Sequence, residues 1–301
     1  MKIMVIGANG QLGSDLVQVL GKRSAAYQVI PLTHAELEVT DPRQVQQAFE
    51  HYLPQVVVNT AAYHKVDEVE SYPERAFAVN AIAPLTLARL CRQQDIALLF
   101  LSTDYVFGGE LHRQTPYTES DCPAPLNVYG VSKLAGEKFI QATWHNHWIV
   151  RTSGLYGLRG ASGKGGNFVE LMLRLAGEGK DIRVVDDQRL SPTYTHELAQ
   201  GLVNLIEKAP YGLYHLTCSG ACSWYEFAVK IFELTNLQPN LQPTTSAAFK
   251  TTARRPNYSV LANQAIQEAG IPPLKAWQEA LADYLAERQK ISLHLAQGGS
   301  R

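Results

Sequence analysis

Tyr129 and Lys133 stand four residues apart in the stretch LNVYGVSKLAGEK, which runs from Leu126 to Lys138. On a helix that spacing puts both side chains on one face, with Cβ atoms roughly 5–6 Å apart. A tyrosine hydroxyl with a pKa of about 10 is a poor proton donor to a ketone at neutral pH, whereas a nearby cation favours the phenolate and brings the pKa towards the working range. The pair can therefore act as a tuned general acid. A Tyr and a Lys so spaced also occur on many solvated helix faces, so the rest of the chain must decide between the two readings.

The elements that would position such a pair begin at the N-terminus. Residues Lys2 to Ile6 are apolar and β-branched, GANGQLG follows with glycines at Gly7, Gly10 and Gly13, and a helix-period stretch runs to about Leu20. This predicts a strand, a tight glycine turn and a helix. Glycine lets the backbone turn sharply and approach a ligand, and the free N–H groups at the helix start favour a pyrophosphate. The spacing is GxxGxxG rather than GxGxxG. Gly7, Asn9, Gly10, Gln11, Leu12 and Gly13 are thus candidate cofactor contacts.

Alternation continues with strand Gln28–Leu32, helix Pro42 to Tyr52, strand Gln55–Ala61, a long helix from Pro73 to Gln93, strand Ala97–Ser102, the Tyr129 helix and strand Trp148–Ser153. VVVNTA and ALLFLS are nearly continuous apolar runs, as in a parallel sheet covered on both faces. The expected fold class is α/β, a doubly wound Rossmann-type parallel sheet. In such a sheet ligands bind beyond the C-terminal strand ends, which carry Gly7 and Asn9, then Ala61, Ala62 and Tyr63, then Thr103 and Asp104. After the second strand stand Thr33 and His34, with no carboxylate there to repel a 2′-phosphate, so NADPH is permitted beside NADH. Glu38, with Val39 beside it, could reach the adenine or serve as a loop acid. Asn80, mid-helix in AFAVNAIAP, has poor helix propensity and reads as a residue facing the cofactor, the alternative being a satisfied core amide.

From Gly154 the texture changes. LYGLRGASGKGGN predicts a flexible glycine-rich loop, which includes Lys164, and is followed by helix Phe168–Gly177, strand Ile182–Asp186 and DDQRLSPTYT. Helix His196–Lys208, strand Gly212–Cys218, helix Trp224–Thr235, ARRPNYSVL and a closing helix from about Leu274 to Lys290 complete it. The expected division is a dinucleotide-binding domain over 1–153, with strand 212–218 returning to its sheet, and a smaller substrate-binding lobe over 154–301 whose tail from about Ser292 is polar and disordered.

The chain has 301 residues, with 27 basic against 28 acidic side chains, so the electrostatic footprint of a nucleic-acid binder is missing. The start of the chain leaves no room for a secretory signal, and no apolar run is long enough to span a bilayer. A cytoplasmic protein is expected. Cys91, Cys122, Cys218 and Cys222 are read as reduced, small buried hydrophobes, and His145 and His147 as a solvated loop. Asp15 is read as a solvated first-helix acid, and no metal is expected.

GANGQLG, NTAAYHKVDEVE from Asn59, STDYVF from Ser102, PLNVYGVSKLAGE from Pro125, RTSGLYG from Arg151, GNFVELMLRLA from Gly166, DDQRLSPTYT from Asp186 and RRPNYSVL from Arg254 follow one another in an order and spacing that resemble the extended short-chain dehydrogenase/reductases, over nearly the whole chain. The resemblance implies reduction, with NADPH or NADH, of the 4-keto group of a dTDP-linked 4-keto-6-deoxyhexose, by a monomer or homodimer that binds neither membrane nor nucleic acid. It implies Tyr129 as proton donor, Lys133 as its electrostatic partner and a nicotinamide-ribose contact, Thr103 as a hydrogen bond to the carbonyl, and Asp104 on sugar hydroxyls. A hydride delivered to the carbonyl carbon makes the oxygen anionic, and Thr103 with Tyr129 supplies donors there. Ser153, Gly154, Asn167, Gln188 and Arg255 are the remaining substrate-side candidates, with guanidinium suited to phosphate oxygens. Members of the family often carry an aromatic residue after RTS, where this chain has Gly154.

Two other readings remain open: a nucleotide-sugar epimerase or dehydratase that keeps NAD bound, which needs further acids and bases beside the Tyr, and a non-catalytic regulatory subunit on the same scaffold.

Overall fold

A computed structural model describes residues 1–159, 166–249 and 251–298. Lys164 lies outside the described residues. The first half runs β1 (Lys2–Ile6), α1 (Gln11–Gly21), β2 (Gln28–Leu32), α2 (Pro42–Tyr52), β3 (Val56–Asn59), α3 (Val66–Val69), α4 (Pro73–Phe77), a π-helical turn (Ala78–Ile82), α5 (Ala83–Gln94), β4 (Ala97–Thr103), a 3₁₀ turn (Asp104–Val106), α6 (Val128–Thr143) and β5 (His147–Thr152). The second half adds β6 (Leu155–Tyr156), α7 (Phe168–Gly177), β7 (Ile182–Val185), β8 (Arg189–Leu190), β9 (Thr193–Tyr194), α8 (Thr195–Lys208) and β10 (Gly212–His215). It ends with β11 (Cys218–Ser219), β12 (Cys222–Ser223), α9 (Trp224–Thr235), β13 (Leu241–Thr244), a 3₁₀ turn (Ser246–Ala248), α10 (Gln264–Glu268), β14 (Leu274–Ala276) and α11 (Trp277–Gly298).

Six strands form one parallel sheet in the order β10-β5-β4-β3-β1-β2. Strands with both faces covered must be apolar on both, and alternate residues separate accordingly. Ile3, Val5, Val58, Leu99 and Val150 join α1 and α8 on one side. Met4, Ile6, Val57, Leu98, Phe100 and Ile149 join residues of α2, α5 and α6 on the other. Connections reverse direction between β1 and β3, which makes the crevice above those strand ends the topological switch point where ligands bind in open α/β sheets.

Several expectations shift at element ends. The helix expected from Pro73 to Gln93 is broken by the π-helical turn, with Asn80 at its centre. The strand expected over 212–218 leaves the main sheet after His215, and Cys218–Ser219 pairs instead with β14. Leu274–Ala276 is that strand, so the closing helix starts at Trp277, and it extends to Gly298, across the start of the tail expected to be disordered. Cys122 is exposed, unlike the other three cysteines. His147 opens β5 and is buried, its Nδ1 against the Trp144 carbonyl, rather than lying in a solvated loop. Asp15 is also buried, its carboxylate accepting from the Thr195 hydroxyl. Among the described residues, no helix is long and apolar enough to cross a membrane.

Candidate active site

A cavity of about 650 Å³ opens above the C-terminal ends of β1, β3, β4 and β5, within the range of small-molecule and cofactor sites. Its floor at β1 is the glycine turn. Gly7 has φ +83°, and a Cβ on Gly13 would stand 2.1 Å from the Gly7 carbonyl oxygen, so α1 can start this close to β1 only with glycine there. Asn9, Gly10, Gln11, Leu12, Glu38, Val39, Ala61, Ala62 and Tyr63 also line the cavity. Thr152 lines it as well, and its hydroxyl has no partner within the protein among the described residues. A cavity of this volume with a glycine cradle at a helix start and an unpaired wall hydroxyl fits a dinucleotide, which Gly7 to Gly13 would hold at its pyrophosphate.

The opposite wall comes from α6. Asn127 caps this helix, its side-chain oxygen accepting from Gly130 N at 2.8 Å and its amide donating to the Arg254 carbonyl at 2.8 Å. That double hold fixes both the helix start and the segment laid over it. Tyr129 and Lys133 both line the cavity, as their spacing predicts. Lys133 is 2% exposed, its ammonium 4.0 Å from the centroid of the Phe100 ring.

Their electrostatics differ from the expectation that the ammonium lowers the phenol. Tyr129 keeps part of its surface open to the cavity, yet burial pushes its pKa up to about 12, opposed by a hydrogen bond with Thr103 and reinforced by Asp104. Burial pushes Lys133 down to about 7, opposed by Glu137. Desolvation penalises the charged form of each group, so the protein alone favours a neutral phenol, loaded with its proton.

Thr103 and Asp104 stand at the end of β4, and both line the cavity. Asp104, expected on sugar hydroxyls, is held by hydroxyls of the protein. It is 3% exposed, with Oδ1 accepting from Thr103 Oγ1 at 3.2 Å and Oδ2 accepting from Ser153 Oγ at 2.8 Å and Ser259 Oγ at 2.6 Å.

Two expected contacts lie elsewhere. Asn80 is fully buried and outside the cavity lining; its amide takes the Tyr63 N–H at 2.9 Å and donates to the Tyr63 carbonyl and Ser132 Oγ, both at 3.0 Å. It thereby ties the β3 loop to α6 rather than facing a cofactor. Arg255 is also outside the lining, its guanidinium held by Asp67 with Nη2 to Oδ2 at 2.6 Å. A nearby carboxylate claims the charge expected to meet a phosphate.

Gly154, Asn167, Gln188 and Ser153 line the cavity. Asn167 spends its side chain as the N-cap of α7 and on the Gly157 carbonyl, and Gln188 donates to Ser246 Oγ at 3.0 Å. Gly154 has φ +55°, a conformation that side chains rarely adopt, and a Cβ there would meet Leu190 Cδ1 at 2.7 Å and Pro192 Cα at 3.1 Å, so the backbone here favours glycine over an aromatic residue. Sequence reading missed Trp224 and Phe168, which line the cavity with ring centroids 4.7 Å apart, and Ser259. The aromatics open α9 and α7, positions that carry no periodic signal, whereas Ser259 lies inside the quoted RRPNYSVL.

Fold and cavity together define a dinucleotide-binding α/β protein with a Tyr–Lys pair on the cavity wall. The chain belongs to the RmlD substrate binding domain family, whose model matches residues 1–290. It is 42% identical over 287 residues to the spore coat polysaccharide biosynthesis protein SpsK of Bacillus subtilis, covering 95% of this chain and 98% of that one. It is also 42% identical to the dTDP-4-dehydrorhamnose reductase of Streptomyces griseus, covering 93% and 91% of the two chains. The crystal structure of dTDP-4-dehydrorhamnose reductase from Bacillus anthracis in complex with NADP superposes with a TM-score of 0.89 at 38% identity, over 95% and 99% of the chains.

Proposed function

We propose that this protein reduces the 4-keto group of dTDP-4-dehydro-L-rhamnose to give dTDP-L-rhamnose, with NADPH or NADH as reductant. The observation that carries the reading is the convergence of the Tyr129 phenol and the Thr103 hydroxyl on one wall of a glycine-floored cavity. The names of the relatives and the NADP held by the Bacillus anthracis reductase support the substrate and cofactor class.

When bound, the reduced nicotinamide supplies a hydride to the carbonyl carbon. Tyr129 holds the proton for the carbonyl oxygen, and Thr103 lies where a second polar contact to that oxygen is needed. Lys133, when protonated, stabilises the phenolate that Tyr129 leaves behind. Trp224 and Phe168 form an apolar wall suited to the nucleobase, since a base offers a π-face to stack. The epimerase reading needs a second acid–base group that acts directly on the sugar, and the neighbouring Asp104 is buried with its carboxylate on three protein hydroxyls.

Loss of NADPH absorbance on mixing with dTDP-4-dehydrorhamnose tests the reading, and gel filtration adds an independent check. A reductase releases its oxidised cofactor each turnover, whereas an epimerase would elute with cofactor still bound.

A further inference from the structure

Thr103 and Asp104 are neighbours in sequence, and their side chains meet because the chain turns from β4 into a 3₁₀ turn between them. Thr103 caps that turn, its hydroxyl oxygen accepting from the Tyr105 N–H at 3.2 Å. With Asp104 ionised the hydroxyl donates its single proton to Oδ1 at 3.2 Å, and with Asp104 protonated the carboxyl donates to the hydroxyl across the same contact. In that second arrangement the Thr103 proton is free to face Tyr129, which is the hydrogen bond that opposes the rise of the phenol. Ser153 and Ser259 satisfy the other carboxylate oxygen, and both line the cavity.

We propose that Asp104 restores the proton of Tyr129 after each turnover, through the Thr103 hydroxyl. The inference rests on the reductase reading. In the step that reduces the substrate, the Tyr129 O–H bond breaks and an O–H bond forms on the substrate oxygen, while the hydride comes from the reduced nicotinamide. The phenolate then takes the Thr103 proton, and Thr103 takes the Asp104 proton, leaving a carboxylate. Asp104 reloads from water in the cavity, past the Ser153 and Ser259 hydroxyls. One solvent proton is consumed per turnover, and all three side chains return to their starting state.

The surroundings of Asp104 suit this work better than they suit gripping a sugar. Three of its acceptor directions are filled by protein hydroxyls, and only 3% of the residue is exposed. Its hydrogen-bonding partners are neutral. The titratable groups facing it are the phenols of Tyr105 and Tyr129, and the Arg255 guanidinium acts on Tyr105 while held by Asp67. Burial accordingly raises Asp104 to about 6, opposed by its three hydroxyl donors, so the carboxyl gains and loses a proton close to neutral pH.

The test compares the first turnover with later ones in rapid mixing of full-length protein, NADPH and dTDP-4-dehydrorhamnose. In Asp104→Asn, Tyr129 starts loaded but cannot be refilled by this route. One equivalent of NADPH per site should be oxidised at a rate within about threefold of wild type, followed by a steady state slower by at least about tenfold. First and later turnovers slowing in parallel would show Asp104 to be an orienting or structural group. Unchanged steady-state turnover would show that the proton arrives by another route. Either result overturns the proposal.

A second measurement needs no turnover. Infrared titration of the cofactor-free protein should show a carboxylic-acid band with a midpoint near pH 6 that is missing from Asp104→Asn. In Ser259→Ala, which removes a donor to the carboxylate, that midpoint should move up. A carboxyl that protonates only in the ordinary acidic range would overturn the relay. If wild type itself leaves NADPH unoxidised, the reductase reading fails first and the relay falls with it. An active wild type with an unperturbed Asp104 refutes the relay alone.

Discussion

Arg151 grips Glu137 with two parallel donors, Nε to Oε1 at 2.9 Å and Nη2 to Oε2 at 2.7 Å, and neither side chain is more than 1% exposed. Glu137 follows Lys133 by one turn of α6, so this pair lies directly behind the proposed site. Ser102 donates to Glu137 as well, and His215 accepts from Arg151 through Nε2 at 3.4 Å while its Nδ1 faces the Tyr117 carbonyl. Burial and the Arg151 charge push His215 down to about 3, which keeps the ring neutral in that role. Removing one partner of such a pair strands a buried charge and costs about 3–5 kcal/mol. Arg151→Met should lose stability of that order in urea unfolding, and Arg151→Met with Glu137→Gln should recover part of it. A loss under about 1 kcal/mol in the single variant would show that the pair does not hold the helix.

Gly13 tests the cofactor cradle. A Cβ 2.1 Å from the Gly7 carbonyl oxygen forces β1 and α1 apart, so Gly13→Ala should weaken NADPH binding by at least about tenfold in a fluorescence titration. Gly21, at the end of the same helix, has nothing within 4 Å of where a Cβ would stand. Gly21→Ala should therefore leave binding unchanged and raise stability by about 0.4–1 kcal/mol.

Lys133 gives the pH dependence a sign. Its pKa is lowered from 10.5 to about 7, so the side chain is charged below that pH and neutral above it. If the charge supports Tyr129, kcat/KM falls as pH rises through about 7. Stability moves the other way: the unfolded lysine stays protonated up to its ordinary value, so unfolding takes up a proton and the folded state gains as pH rises above 7. Lys133→Arg cannot lose its charge and should abolish the alkaline fall in whatever activity remains. Persistence of the fall with the same midpoint would assign it to another group.

Trp224 and Phe168 test the nucleobase wall. Stacking of a base on an aromatic side chain is worth about 1–3 kcal/mol. Trp224→Ala should raise KM for the nucleotide sugar roughly tenfold with little change in kcat. A fall in kcat at constant KM would place the ring at the reacting sugar instead.

The parts of the site set by local spacing are legible in the sequence. Tyr129 with Lys133, the GANGQLG turn and the strand ends at Ala61 and Thr103 need only helix and strand periodicity to be placed on one cavity. What escapes depends on partners distant in the chain. The guanidinium of Arg255 suits a phosphate, and nothing near it in sequence announces Asp67 across 188 residues. Asparagine is a poor helix former, which points Asn80 at a cofactor, yet a π-helical turn aims it at the Tyr63 backbone. The expected lowering of Tyr129 by Lys133 fails for a related reason, since spacing reveals proximity but not the burial that penalises both charges. Trp224 reaches the cavity only through the fold of the second half of the chain.

The most direct test of Tyr129 as proton donor is NADPH oxidation with dTDP-4-dehydrorhamnose by wild type and Tyr129→Phe, with cofactor binding measured on both. Wild type should turn over, Tyr129→Phe should lose about 10²–10⁴-fold in kcat, and both proteins should retain cofactor binding. Turnover by Tyr129→Phe at the wild-type rate would contradict this mechanism, because the phenol would then not be the proton donor.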